Sequence, residues 1–354
     1  MEPSAAAKGN TTEATGGGPV SPAPLLQGTF GFAITCVLVT AVELDLFTAI
    51  DRGASTVEEL AKDTSCTPRG LRILLDALAG CGYLAKDKGR YLLNPFSATY
   101  LSKKSRTYAG GVALHSRMLR DNWDHLTETV RTGTVRRAVQ GGDDRGEFFS
   151  EFVGSLYGMN TPGAEAVAAQ LWKGEPPSPC RVLDIGAGSA VWSLALARRV
   201  PHARVTVAEL PAVIEKATKP YAVREKCADR YSYLPGDCHE VDFGESAFEV
   251  VYLGHVCHGE GAEGSRVLLR RVHRALRPGG KIVIAEMLPD EERRENTFPL
   301  LFAVNMLVNT PRGDAFTFGE YRQWLEADGF RDVQALDVPA PSPVIVATKS
   351  NAPA

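Results

Sequence analysis

The stretch Val182-Leu183-Asp184-Ile185-Gly186-Ala187-Gly188-Ser189 constrains this chain more than any other. A short β-branched run ends in a turn with two glycines, and a helical pattern follows over residues 190–199. A glycine turn after the first strand of an α/β domain lets a ligand approach backbone at the carboxyl edge of a sheet. The alternation then continues. Strands are predicted over 204–208, 231–234, 248–253 and 281–285, and helices over 212–226, 265–276 and 318–329. Alternating strands and helices imply a parallel doubly wound sheet. Two closing strand-like runs, 333–338 and 344–349, flank a proline-rich turn and suggest an antiparallel hairpin on the edge of that sheet.

The loop also selects a ligand. A dinucleotide fingerprint needs a third glycine three positions after Gly188, and Val191 stands there. Asp184 beside the turn would repel a pyrophosphate but suits a ligand with an ammonium group. Glu209 ends the second strand in Val207-Ala208-Glu209-Leu210-Pro211, placed to take both hydroxyls of a ribose. Gly236-Asp237 ends the third, placed to meet an adenine amine. Three acids on three successive strand ends fit a cationic nucleoside better than a phosphorylated one, which points to S-adenosylmethionine. Taken singly, each acid reads equally as a helix cap or a solvated loop end.

Upstream the pattern is helical. Residues 1–24 are rich in Ala, Gly, Ser, Thr and Pro and read as a flexible tail. No basic segment leads into a hydrophobic stretch, so no secretory signal is read. The most apolar run, residues 31–42, is too short to span a bilayer, and Glu43 and Asp45 follow it. Its apolar residues wrap most of the way round a helix. It must be covered on more than one side, as at a dimer interface.

Ser55-Thr56-Val57-Glu58-Glu59 holds two overlapping capping boxes. Thr67-Pro68 starts a second helix, carrying Leu71, Leu74, Leu75 and Leu78. A hairpin follows, with its turn at Lys86-Asp87-Lys88-Gly89. Helix, helix, hairpin is the winged-helix order. Residues 55–93 hold six basic side chains against five acidic ones, and the candidate recognition helix offers only Arg69 and Arg72, opposed by Asp76. That is too little to neutralise phosphates, so a structural or dimerising role is expected, with no nucleic-acid partner. Residues 108–170 are again helical and dense in aromatics and Met, and Pro176-Pro177-Ser178-Pro179 marks a boundary. The expected organisation is a tail (1–24), a winged-helix dimerisation domain (25–107), a helical linker and pocket wall (108–179) and a ligand-binding α/β domain (180–350).

Residues 25–350 resemble the small-molecule O-methyltransferases of the plant and bacterial type, which include the caffeate, hydroxyindole and antibiotic-tailoring enzymes. Asp184-Ile185-Gly186-Ala187-Gly188 is similar to the family's cofactor loop. Glu209-Leu210-Pro211 matches its ribose acid, Gly236-Asp237 its adenine-side pair, and Leu276-Arg277-Pro278-Gly279-Gly280-Lys281 the turn before its fifth strand. The resemblance implies a class I methyltransferase (Rossmann-like) fold behind a winged-helix domain. It also implies a homodimer that closes its pockets through the N-terminal domain. The cofactor is then S-adenosyl-L-methionine, with S-adenosyl-L-homocysteine as product. Asp184, Gly186, Gly188, Glu209, Leu210, Gly236, Asp237 and Cys238 are its expected contacts.

In that family the general base is a histidine just past the fourth strand, and His258 occupies the position. A phenol titrates near ~10, so an imidazole that removes its proton during attack strengthens the nucleophile. Glu286 ends the next strand, where the plant enzymes carry a glutamate that brackets the histidine. The chain departs from the family after His258. Gly259-Glu260-Gly261-Ala262-Glu263-Gly264 replaces an Asp-Trp pair, and Asp314 is only a neighbour of a second family glutamate. A less well oriented base or a more acidic acceptor is expected. Phe148, Phe152, Met159 and His255 are expected to face the acceptor. So is one face of a helix over 298–309, with Phe302, Asn305, Met306 and Asn309. Its two amides suggest hydrogen bonds to a ligand, or caps on neighbouring backbone.

On a strand, His255 and His258 would point to opposite faces, so no metal is expected. Thirty-nine basic residues against forty-two acidic ones give a net charge of −3, which advertises neither nucleic acid nor an anionic membrane. Seven cysteines without a Cys-x-x-Cys read as reduced thiols of a cytoplasmic protein. A carbon or nitrogen acceptor, a non-methylating use of the cofactor, and a ligand-sensing regulator are the competing readings.

Overall fold

The computed structural model describes residues 20–138, 145–172, 174–341 and 343–351. Most of the expected tail and residues 139–144 lie outside them. The chain begins with α1 (Ala23–Thr29), α2 (Gly31–Glu43), α3 (Leu46–Asp51), α4 (Val57–Thr64) and α5 (Pro68–Gly80). The hairpin β1 (Leu84–Asp87) and β2 (Arg90–Leu93) follows, then α6 (Pro95–Tyr100), α7 (Gly111–Trp123), α8 (Leu126–Thr132) and α9 (Arg145–Gln170).

One of the two capping boxes forms. Thr56 Oγ1 accepts from the Glu59 N–H at 3.2 Å, and Glu59 Oε2 accepts from the N–H groups of both Thr56 and Ser55. Glu59 thus takes the donors that the overlapping box would have offered Glu58. The hairpin is tighter than expected. Pairing runs through Asp87 and Arg90, leaving Lys88 and Gly89 as a two-residue turn, both at positive φ. On α5, Asp76 accepts from Arg72, Lys86 and the Tyr91 hydroxyl. Two of the region's basic side chains are therefore tied down within the protein.

In α2 only Val39, Ala41 and Val42 are buried. Leu25, Leu26, Phe30, Phe32 and Ile34 are exposed on the single chain. Among the described residues no single helix is long and apolar enough to cross a membrane. The α1–α2 pair passes only as two segments bent by 43°.

The second half alternates. Its elements are β3 (Arg181–Ile185), α10 (Val191–Arg199), β4 (Arg204–Glu209), α11 (Pro211–Val213), a π turn (Ile214–Thr218), α12 (Lys219–Arg224), β5 (Tyr231–Pro235), β6 (Phe248–Gly254), α13 (Cys257–Ala275), β7 (Leu276–Ala285), α14 (Thr297–Asn309), α15 (Phe318–Ala327), β8 (Phe330–Leu336) and β9 (Val344–Lys349). They build a seven-stranded sheet in the order β5-β4-β3-β6-β7-β9-β8. The strands β3 to β7 run parallel, and β9 pairs antiparallel with both β7 and β8. The closing hairpin is on the edge as expected, with its second strand inserted inward.

Side-chain alternation covers both faces. Val182, Val205, Val250 and Val283 pack under α9 and α10. Leu183, Val251, Ile282 and Ile345 pack under α13 and α15. Strand order reverses between β3 and β6, and a crevice at the carboxyl ends of such a pair is where doubly wound sheets bind ligands. The helix expected from 265 starts earlier, at Cys257. Gly261 (φ 70°, ψ 175°) breaks it into two pieces, and three nearby glycines hide its first turns from a periodicity search.

Candidate active site

The loop after β3 is built around two left-handed glycines. Gly186 has φ 60° and Gly188 φ 55°. A Cβ on Gly186 would lie 2.6 Å from Val256, and one on Gly188 would lie 3.0 Å from Val153 of α9. Asp184 is buried beneath this loop. The Ser193 hydroxyl donates to its Oδ2, while Oδ1 has no hydrogen-bond partner. Burial pushes the Asp184 carboxyl up to about 7, against the pull of the Ser193 hydroxyl, and the charge of Glu209 adds to the rise. Sequence reasoning missed Ser193, whose only signal is its place on the helix entering from the loop.

Glu209 ties the three strand ends together. Its carboxylate accepts from the Gly188 N–H at 2.9 Å and from the Leu210 N–H at 2.6 Å. Its carbonyl accepts from the Gly236 N–H at 3.0 Å. Asp237 Oδ1 accepts from the His239 N–H, and the Cys238 carbonyl accepts from Arg271. His239 Nε2 lies 2.6 Å from Glu260 Oε2, so the glycine-rich segment reaches over to the end of β5. An unpartnered buried carboxylate oxygen, two glycines closed to any Cβ, and two further acids suit a ligand that is cationic at one end and hydroxylated at the other. S-adenosylmethionine meets that requirement.

The histidines behave differently from a strand pair. The strand ends at Gly254, and His255 takes a left-handed φ of 61°. Its N–H donates to the Ala285 carbonyl at 2.8 Å. That residue turns the chain, so His255 and His258 do not point to opposite faces. Their ring centroids are 6.4 Å apart. Each puts a nitrogen within 4.8 Å of the other's and of a Glu286 oxygen.

His258 Nδ1 lies 2.7 Å from Glu286 Oε2, and its backbone N–H donates to Oε1 at 3.2 Å. Glu286 is buried. Burial alone would raise its carboxyl, but the His258 ring and N–H and the His255 ring outweigh it, and the net shift is downward. Phe302 meets the His258 ring edge-on at 4.9 Å. The His258 ring is thus held from two sides despite the altered sequence after it. Cys257, next to it, is buried, and burial holds its thiol well above the ordinary range.

The altered loop has its own packing role. A Cβ on Gly261 would lie 2.5 Å from the Arg312 carbonyl oxygen, and one on Gly313 would lie 2.5 Å from that of His258. The Asp314 N–H donates to the His258 carbonyl at 2.9 Å. Asp314 therefore meets the histidine through backbone.

On α14 the amides bond within the protein. Asn305 Oδ1 accepts from Trp123 Nε1 at 3.0 Å and from Asn309 Nδ2 at 3.0 Å. Asn309 Oδ1 accepts from Asn122 Nδ2 at 2.8 Å. Asn309 and Met306 are buried, and the amide of Asn309 is spent on fixing α7 to α14. Phe152 sits 5.2 Å from the His115 ring, and Met159 is half-buried two turns further along α9. The side chain of Phe148 lies outside the described residues. Among the described residues, Asp237, Cys238 and His239 form a second group with metal-ligating atoms close together.

Comparison with known proteins identifies the lineage. Residues 178–331 match the O-methyltransferase domain model, and residues 26–103 match the O-methyltransferase dimerisation domain model. The tetracenomycin polyketide synthesis 8-O-methyl transferase of Streptomyces glaucescens is 30% identical over 93% of this chain and 97% of its own length. The 3-hydroxy-5-methyl-1-naphthoate 3-O-methyltransferase of Streptomyces sahachiroi is 29% identical over 87% of this chain and 89% of its own. A putative O-methyltransferase from Nostoc punctiforme superposes with a TM-score of 0.84 at 29% identity, covering 94% of this chain and all of that one. Human N-acetylserotonin methyltransferase, in complex with its methyl donor, shares the fold with a TM-score of 0.78 at 23% identity, over 95% of this chain and all of its own. With a relative aligned almost end to end beneath both domain matches, the chain belongs to the S-adenosylmethionine-dependent O-methyltransferases.

Proposed function

We propose that the acceptor is a hydroxyl on an aromatic or polyketide-like small molecule, that His258 is the general base, and that Glu286 positions it. The observation that carries this reading is the 2.7 Å contact between His258 Nδ1 and the buried Glu286 carboxylate. A carboxylate accepts only, so Nδ1 carries the proton and Nε2 keeps its lone pair for the acceptor hydroxyl. Names of the two Streptomyces relatives support the acceptor class.

Bound S-adenosylmethionine supplies an electrophilic methyl group on a sulfonium sulfur. Asp184 faces its ammonium group, Glu209 its ribose, and Gly236, Asp237 and Cys238 its adenine, with Gly186, Gly188 and Leu210 shaping the cradle. His258 takes the acceptor proton as the oxygen attacks, and Glu286 stabilises the resulting imidazolium. Phe302, with Phe152 and Met159, walls the acceptor away from water. The exposed apolar face of α1 and α2 supports a homodimer through the N-terminal domain.

Incubation with phenolic polyketide acceptors and labelled S-adenosylmethionine tests the reading. The expected product gains one methyl on oxygen, seen by mass spectrometry and by loss of the phenolic proton. Methylation at carbon or nitrogen overturns it.

The titration of Asp184 gives a second test. A carboxyl that titrates at about 7 in the free protein must ionise to meet an ammonium group. Affinity for the cofactor should therefore rise as pH climbs from 5.5 towards 7. The expected gain is roughly tenfold, and Asp184→Asn should flatten it. Titration calorimetry across that window decides the matter, and a wild-type profile as flat as the variant's sinks the assignment.

A further inference from the structure

The proposed reaction makes no use of His255. Both ring nitrogens of His255 are shut off from solvent and have no hydrogen-bond partner. Its backbone is held at φ 61°, a region that costs a residue with a Cβ. Buried unpaired ring nitrogens and strained backbone together mark a site that waits for a ligand. The ring lies 6.4 Å from that of His258 and 6.3 Å from that of Trp192, just past the carboxyl end of β6. It is not a second base. Burial pushes it down to about 4, although Glu286 pulls it upward, so it stays neutral at working pH. A neutral imidazole offers one donor and one acceptor.

We infer that His255 selects acceptors with two neighbouring oxygens, donating a hydrogen bond to a carbonyl or hydroxyl oxygen ortho or peri to the hydroxyl that is methylated. The inference rests on His258 as the base. Nitrogens of the two imidazoles lie within 4.8 Å of each other, which lets His258 address the reacting hydroxyl and His255 the oxygen beside it. This arrangement answers a chemical problem. A phenol next to a carbonyl holds its own proton in an internal hydrogen bond. A donor that occupies the carbonyl competes for its lone pairs and frees the phenolic proton for Nε2 of His258. A phenol without the second oxygen gains nothing and leaves the His255 N–H unpaired.

The test uses matched phenols with and without an ortho or peri carbonyl, from salicylaldehyde against o-cresol up to fused-ring pairs. The full chain is assayed with saturating S-adenosylmethionine. Wild type should favour the carbonyl-bearing member by kcat/KM. His255→Gly relieves the backbone and removes the unpaired ring, so its Tm should equal or exceed that of wild type. It should lose about 10- to 100-fold in kcat/KM on the carbonyl-bearing phenol and change little on its partner. His255→Gln, which keeps an N–H donor, should recover part of the preference. S-adenosylhomocysteine should bind all three proteins alike. No wild-type preference in any pair, equal losses on both members, a markedly lower Tm, or a tenfold loss of S-adenosylhomocysteine binding each overturn the proposal. Full turnover in a His258 variant would instead remove the base assignment, so the two failures are separable.

Discussion

Replacing His258 by Ala should lower turnover about 1,000-fold and leave S-adenosylmethionine affinity nearly unchanged. The loss has two parts. The acceptor proton has no receiver, and Glu286 loses the group that compensates its burial. Leaving a buried carboxylate without its hydrogen-bond partner typically costs about 1–3 kcal/mol of stability. His258→Asn separates the effects, since its NH2 still donates to Glu286 while no base remains. It should be as inactive as the Ala variant but closer to wild type in urea unfolding.

The sign of the pH effect follows from Glu286. Its folded pKa lies below the unfolded value, so the pair contributes stability above the unfolded pKa of about 4.5, and that contribution is lost as pH falls through the folded one. The Ala variant should lack this acid-side loss. Single-turnover rates and urea curves between pH 4 and 8 check both parts, and a variant with wild-type turnover would end the base assignment.

Gly261→Ala should be nearly as damaging, through the fold. The position needs φ 70°, and the new Cβ would sit 2.5 Å from the Arg312 carbonyl oxygen, a backbone atom without rotamers to yield. Backbone strain and overpacking each cost about 1–3 kcal/mol, so a destabilisation of about 3 kcal/mol is expected. Activity should fall further than stability explains. The segment pushed away carries the Asp314 N–H that holds the His258 carbonyl. A shift of His258, the proposed base, by even 1 Å relative to the acceptor is costly in rate, on the order of 100-fold. Urea unfolding with kcat at low temperature measures the two effects, and unchanged values in both would refute the packing role of the altered loop.

The strands of the sheet were legible because their side chains alternate between two covered faces, a period of two that survives any loop length. The acids at 184, 209 and 237 were legible for a related reason: the end of each run was visible, and so was the residue standing on it. What escaped depends on distant partners. The turn at His255 is set by the Ala285 carbonyl on the next strand, and the bonding of Asn309 by Asn122 on another helix. Spacing along one segment carries no trace of either. The π turn at Ile214–Thr218 and the broken start of α13 escaped because periodicity assumes one regular helix.

The inward strand β9 has a consequence for how the enzyme comes into being. Glu286 follows β7, and β7 gains its second neighbour only from β9, which is made after β8. While a growing chain leaves the ribosome, the Glu286 carboxylate that contacts His258 follows a strand with an open edge. That edge is covered only when β9 slips between β7 and β8, both already made. A nascent chain stalled before β9 would thus hold the parallel strands β3 to β7 with one edge still unpaired.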